Sequence, residues 1–314
     1  MKEIFPEISF HKEFKDFERD PFFRALRYLK GDEPSFEAEY RANEASNILK
    51  YKQLVIFSNL LKKHKITKFV PVKGMYLLNT LFKDHYGLRS MVDIDLLFHP
   101  EEFAQIPELV KNSPQLKLKK QFHPLLRRYF CEDIPVLLNG TLIELHSKMS
   151  FISFGNFIEN VFENSVEKKI DNDLKMLLPE IEQMALIMLI HDHMGKNFYN
   201  LVAGRLLEFY VVIYNCDLSK LRKTADKFGL GKMLDCHLFL IYTMIEEPFF
   251  KKSDFDIDEA FQYIDRDEKS CAFKVEKEFS LQMALFGYKT ILLRSRIISG
   301  TLFRYMFGGK NNRA

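Results

Sequence analysis

The sequence predicts an α+β fold: a small mixed β-sheet core with helices, flanked by an N-terminal helical segment and a C-terminal helical domain. Three observations predict it. Strand-like and hairpin-like runs are confined to the middle of the chain, between about residues 67 and 148. Helical periodicity dominates on both sides of that stretch. The composition, 47% apolar with only 13 Gly and 11 Pro in 314 residues, suits a folded, helix-rich chain with a sizeable core. The expected boundaries are a helical segment at 1–64, an α/β core at 65–175 and a helical domain at 176–314.

The elements follow in order. After the breaker-rich GDEPS at 31–35, apolar residues recur at helical spacing from Phe36 to His64, which predicts one long helix. From Thr67 the texture changes to KFVPVKG, a short β-rich run ending in glycine, then helical MYLLNTLFK, strand-like MVDIDLLF and helical PEEFAQIPELVKN, a β-α-β-α order. LKLKKQF alternates as a strand does, and PVLLNGTLIELH places Asn139-Gly140 between two apolar runs, the strongest short-range signal for a tight hairpin. Beyond about residue 178, Pro179 with Glu180 and Glu182 marks a helix start, and helical patterns continue through LIMLIHDH, RLLEFYVVIY, LSKLRKTADKF and GKMLDCHLFLIYTMI.

Composition also excludes some functions. Lys and Arg number 46 against 43 Asp and Glu, a formal charge of +3, too balanced for nucleic-acid binding by bulk electrostatics. Cys131, Cys216, Cys236 and Cys271 form no CxxC, so neither a zinc ribbon nor a disulfide framework is expected, and a reducing cytoplasm is the expected setting. The opening MKEIFPEISFHKEF lacks the apolar run of a signal peptide, and no stretch reaches the roughly 18 apolar residues of a membrane span.

The chemistry concentrates in MVDIDLLF. Alternation along a strand sends Asp93 and Asp95 to one face and Val92, Ile94 and Leu96 to the other. Two carboxylates about 7 Å apart along the backbone can converge on one ion, and a divalent metal would remove the repulsion that otherwise raises one pKa. Lys73-Gly74 ends the preceding strand and opens a helix, where a backbone without a side chain admits phosphate to the amides. Arg89 lies just before the acidic strand and can grip phosphate oxygens bidentately. In TLIELHSK, alternation places Leu142, Glu144 and His146 on one face, adding a third acid. Neutralising either aspartate is expected to leave the fold intact or slightly more stable, because like charges are relieved.

The spaced set K-G, R-x-x-x-D-I-D-L-L and E-L-H resembles the nucleotidyltransferases of the polymerase-beta-like superfamily, specifically the poorly characterised bacterial branch NTP_transf_5. The resemblance covers about residues 66–150, with weaker support after 178. It implies phosphate contact at Lys73 and Gly74, metal at Asp93 and Asp95, and Glu144 as the third carboxylate; Arg89 and His146 also match as nucleotide-side residues. The implied cofactor is Mg2+ or Mn2+ and the implied substrate a nucleoside triphosphate, with a small-molecule or protein hydroxyl as acceptor. Met75 departs from the pattern, standing where the superfamily usually has serine or glycine, so a hydroxyl contact to phosphate is lost. That departure supports the alternative of a nucleotide-binding or regulatory protein of the same fold without turnover.

Other signals have blander readings. On a helix His191 and Asp192 diverge by about 100°, which weakens a metal-phosphohydrolase reading of His191-Asp192-His193; helices closing over the nucleotide could still bring His191, Lys196 or Arg205 near it. The basic stretch carrying Lys289, Arg294, Arg296 and Arg304 reads as a core-packed helix with a solvated cationic face rather than a membrane-surface helix. KKHK at 62–65 and KLKK at 117–120 read as solvated faces, and His123 as a hairpin contact.

Overall fold

The computed structural model of the chain describes residues 5–12, 18–119, 133–148, 154–172, 174–192 and 203–256. The expectations for His123, Cys131, His193, Lys196, Cys271, Lys289, Arg294, Arg296 and Arg304 lie outside the described residues.

Helix α1 (Pro21–Lys30) comes before the first element expected from the sequence, yet its signals are local. The Asp20 carboxylate accepts the Phe22 amide at 2.9 Å, Pro21 opens the first turn, and Gly31 closes the last with φ of +86°. Helix α2 (Glu37–Lys63) is the long helix expected, and Tyr40, Asn47, Leu54 and Leu61 recur along its buried stripe. The KKHK run at its end is exposed, as expected of a solvated face.

The chain then enters β1 (Phe69–Pro71), α3 (Lys73–Asn79) and β2 (Asp93–Phe98). The single helix expected over PEEFAQIPELVKN is two, α4 (Pro100–Phe103) and α5 (Ile106–Asn112). The cause is Pro107 in the first turn of α5, where the ring cannot donate to a preceding helical turn. Strands β3 (Leu116–Leu118), β4 (Asp133–Leu138) and β5 (Thr141–His146) complete a five-stranded mixed sheet in the order β1-β2-β5-β4-β3. Among the described residues only β2 and β5 pair in parallel. Asn139 (φ +49°) and Gly140 (φ +84°) turn the β4–β5 hairpin with both central residues left-handed, as a primed two-residue turn requires.

Helix α6 (Phe157–Glu163) and a two-stranded antiparallel sheet of β6 (Val166–Lys169) and β7 (Lys175–Leu178) follow, and β7 lies beside β1. These elements were not anticipated, because β6 is short and exposed throughout and offers no apolar alternation. Helix α7 (Ile181–Ile190) starts at a Glu180–Gln183 capping box and is buried from Glu182 to Ile190. A helix apolar all round must be surrounded, and α3, α8 (Ala203–Tyr214), α9 (Leu218–Lys227) and α10 (Gly231–Met244) surround it. Helix α1 packs on α8, and the Phe10–Ile245 bridge ties the N-terminal residues to the end of α10. Buried side chains from α2, the sheet and α7 to α10 join in one hydrophobic cluster, so the α+β architecture is a sheet with helices gathered around a shared core. Among the described residues no helix is long and apolar enough to cross a membrane.

Candidate functional site

The register of the parallel pair builds the site. Asp93 lies opposite Leu142, Asp95 opposite Glu144 and Leu97 opposite His146, so the acids of β2 and the Glu144 and His146 side chains of β5 share one face. β2 begins at Asp93, one residue later than a strand that would include Val92 on its apolar face; Val92 is 79% exposed.

Asp95 is the centre of the cluster. Its Oδ1 accepts from the Lys73 ammonium at 2.9 Å and from His146 Nε2 at 2.9 Å. An ionised carboxylate only accepts, so the His146 proton is on Nε2. Burial by itself would raise the Asp95 carboxyl, but the charge of Lys73 and the hydrogen bonds and charge of His146 outweigh it and hold the carboxyl well below the usual carboxylate range. Lys73 is delivered here by the backbone: the Val72 amide donates to the Asp95 carbonyl at 3.1 Å, extending the β1–β2 pairing to its neighbour. Glu144 is half-buried, with Oε2 3.9 Å from His146 Nε2. Asp93 is half-buried in the same cleft, and its charge opposes the lowering of the Lys50 ammonium that burial on α2 imposes.

Two further sequence candidates lie alongside. Arg89 is held from both ends: its carbonyl accepts from Asn47 Nδ2 on α2 at 2.6 Å, and its Nη1 sits 2.9 Å from Glu208 Oε2 on α8, an ion pair rather than an aligned hydrogen bond. Gly74 has a packing reason for its missing side chain, since a Cβ there would fall 2.6 Å from Met91 Sδ and 3.1 Å from Arg89 Nε. Glycine lets the Arg89 loop close over α3.

The helices supply the opposite wall, which the sequence reading only partly foresaw. His191 and Asp192 continue α7 in a wider π-helical turn, and His191 Nδ1 lies 3.5 Å from Asp192 Oδ1. Both residues line the cleft. Asp192 also pairs with Arg205 at 3.2 Å and lies 3.7 Å from His237 Nε2. Its burial is outweighed by His191 and His237, which hold its carboxyl well below the usual range. Burial, with the charge of Lys73 against it, pushes the His191 imidazole down to about 4 despite the opposing Asp192. Glu208 is the reverse case, its carboxyl raised by burial that Arg89 offsets only in part. Glu208 and His237 were missed; for Glu208 the signal was a lone acid inside the apolar run LLEFYVV.

The walls enclose a cleft of about 170 Å³. Among the described residues its lining carries five carboxylates (Asp93, Asp95, Glu144, Asp192, Glu208) and three cations (Lys73, Arg89, Arg205), a formal excess of two negative charges. Larger hollows occur, one of about 880 Å³ by Arg222 and one of about 710 Å³ by Tyr51 and Tyr86, but among the described residues the only His/Cys/Asp/Glu group spaced to hold a metal ion is in the smaller cleft. There, ligand atoms of Asp95, Glu144 and His146 lie within 4.8 Å of one another. Carboxylates with one imidazole fit a dication such as Mg2+ or Mn2+. The volume suits phosphates and ions rather than a whole nucleotide, for which pockets of roughly 300 Å³ and more are usual.

A mixed sheet bearing D-x-D and E-x-H on adjacent parallel strands, beside a lysine-glycine turn, defines a protein of the nucleotidyltransferase type. The chain belongs to the family of uncharacterised nucleotidyltransferases NTP_transf_5, whose model matches residues 32–245. That span is wider than the sequence resemblance, taking in α2, the five-stranded sheet and α7 to α10. No curated protein matches the chain.

Proposed function

We propose that the protein is a metal-dependent nucleotidyltransferase, moving a nucleotidyl group from a nucleoside triphosphate to a hydroxyl of a small molecule or protein. The observation that carries this reading is the convergence of Asp95, Glu144 and His146 in one cleft with Asp93, Lys73 and Arg89. Mg2+ or Mn2+ held by Asp93, Asp95 and Glu144 would supply charge neutralisation and a lowered pKa for the acceptor hydroxyl.

The chain's own part is binding and orientation. The Arg89 guanidinium suits phosphate oxygens bidentately, and Asn47 and Glu208 fix where it sits. His146 keeps Asp95 ionised and aimed. The excess negative charge of the lining repels a bare triphosphate, which makes nucleotide binding depend on the dication. The acceptor hydroxyl attacks the α-phosphorus in line and pyrophosphate leaves, with positioning and charge neutralisation as the main contributions. The balanced charge of the chain supports no nucleic-acid partner, and a reducing cytoplasm fits four cysteines that form no CxxC.

The second reading, a nucleotide-binding or regulatory protein without turnover, is favoured by Met75, which is 1% exposed in the core and offers phosphate no hydroxyl. Calorimetry with Mg2+ and a non-hydrolysable triphosphate tests the site itself. Pyrophosphate release across a panel of hydroxyl acceptors then separates the readings: none with any acceptor, despite tight binding, selects the second.

A further inference from the structure

Lys73 combines features that the roles above do not use. Its ammonium is buried against Asp95, the two residues being 8% and 7% exposed. Its backbone sits at φ +53°, a left-handed conformation that side-chain-bearing residues adopt at a cost. The strained backbone is pinned, with its amide on Met184 Sδ at 3.3 Å and the preceding Val72 amide on the Asp95 carbonyl. The Cα is therefore fixed while a four-carbon side chain remains free to swing. The other cations of the cleft are differently placed, since Arg89 and Arg205 are paired with Glu208 and Asp192 of the helical wall.

We infer that Lys73 is the specificity-determining residue that makes this cleft take a dication and a triphosphate together rather than either alone. The inference rests on the metal-nucleotide reading of the site. A dication that takes Asp95 Oδ1 evicts the ammonium, and one on the other carboxylate oxygen sits beside it; either way the ammonium, tethered at its Cα, stays in the cleft as a like charge next to the metal. Metal alone is therefore disfavoured by a like charge beside it. A triphosphate alone meets a lysine already neutralised by Asp95. With both present the partners exchange: Asp95 turns to the metal, Lys73 to a phosphate oxygen, and no buried charge is left over. No covalent bond changes in this exchange.

The test is equilibrium binding of Mn2+ alone, read by the electron-paramagnetic-resonance signal of free ion, to wild type and Lys73→Met. The variant should bind Mn2+ at least roughly tenfold tighter, a conservative value for removing a unit charge a few ångströms from a dication, and should bind the imido analogue of ATP with Mg2+ more weakly than wild type. Equal Mn2+ affinity of the two proteins overturns the inference and leaves the metal reading standing. If neither protein binds Mn2+, with or without the analogue, the metal reading falls and the inference with it. A readout on the wild type covers a variant that does not fold. Acylation of Lys73 by an amine-reactive ester, followed by mass spectrometry, should speed up at saturating Mn2+ and slow again when the analogue is added; a rate unchanged or lowered by Mn2+ overturns the inference.

Discussion

Replacing Asp95 with asparagine should destabilise the fold, the opposite of what the sequence suggested. From the sequence, neutralising either aspartate removes a like-charge repulsion. In the structure the partners of Asp95 are a cation and a hydrogen-bond donor: the Lys73 ammonium at 2.9 Å and the His146 N–H at 2.9 Å. Asparagine keeps an oxygen that can accept, but leaves the Lys73 ammonium buried without a counter-charge. Coulomb's law at an effective dielectric of about 20 gives roughly 6 kcal/mol for unit charges 2.9 Å apart, and removing one partner of a buried pair costs about 3–5 kcal/mol. Part is recovered because the long lysine stem can carry its head toward Glu144 or Asp192 in the same cleft. The lower end, about 3 kcal/mol, is therefore expected. At about 2–4 °C per kcal/mol for a chain of this order of size, the melting temperature should fall by roughly 6–12 °C. Differential scanning calorimetry measures it. Lys73→Met combined with Asp95→Asn should recover part of the loss, since neither charge is then left buried alone. Melting of Asp95→Asn within about 2 °C of wild type, or strictly additive losses in the double variant, would refute the reasoning.

Asp93→Asn should behave differently: half-buried at the cleft, it should change stability by no more than about 1 kcal/mol while abolishing Mg2+-dependent binding of a non-hydrolysable triphosphate, both checked by calorimetry. Gly74→Ala gains up to about 1 kcal/mol of helix propensity but forces Met91 and Arg89 apart from α3. Overpacking of about 1–3 kcal/mol should win, lowering the melting temperature and weakening triphosphate binding together. His191 sets a pH dependence. Its folded pKa of about 4 lies below the unfolded 6.5, so between these values the unfolded chain binds the extra proton. Its contribution to stability is complete above about pH 6.5, falls by about 1.4 kcal/mol per pH unit toward pH 4, and levels off below. Urea unfolding across this range should give a shallower slope for His191→Gln than for wild type, and equal slopes would count against the buried neutral imidazole.

What was legible in the sequence was what neighbours in the chain decide. The α2 helix from 37 to 63 follows from a buried stripe and a breaker before it, and the Asn139-Gly140 turn from two residues that tolerate left-handed backbone. The start of α7 is signalled by Pro179 with Glu180 and Glu182, and Glu180 is its N-cap. The face-sharing of Asp93, Asp95, Glu144 and His146 also followed from period two, once both segments were read as strands. Their parallel pairing, which sets Asp95 against Glu144, did not, because register between segments some 50 residues apart depends on the whole sheet.

The helical wall marks where such reading stops. An acid in an apolar run drew attention to Asp93 and Asp95, and Glu208 meets the same criterion, flanked by Leu206, Leu207, Phe209 and Tyr210. Applied to the helix, it identifies a carboxylate that must find a cation when buried. It cannot identify the cation. Arg89 is over a hundred residues away in sequence, and only the packing of α8 against the loop before β2 brings the two to 2.9 Å. The same holds for Asp192, whose partner Arg205 is close in sequence but whose neighbour His237 comes from α10. A sequence thus announces that a buried charge needs compensation, while the fold chooses its source. In this cleft both arginines are compensated by acids of the helices and Lys73 by the acid of the strand, so metal, nucleotide and the packing of helices on the sheet compete for one set of carboxylates.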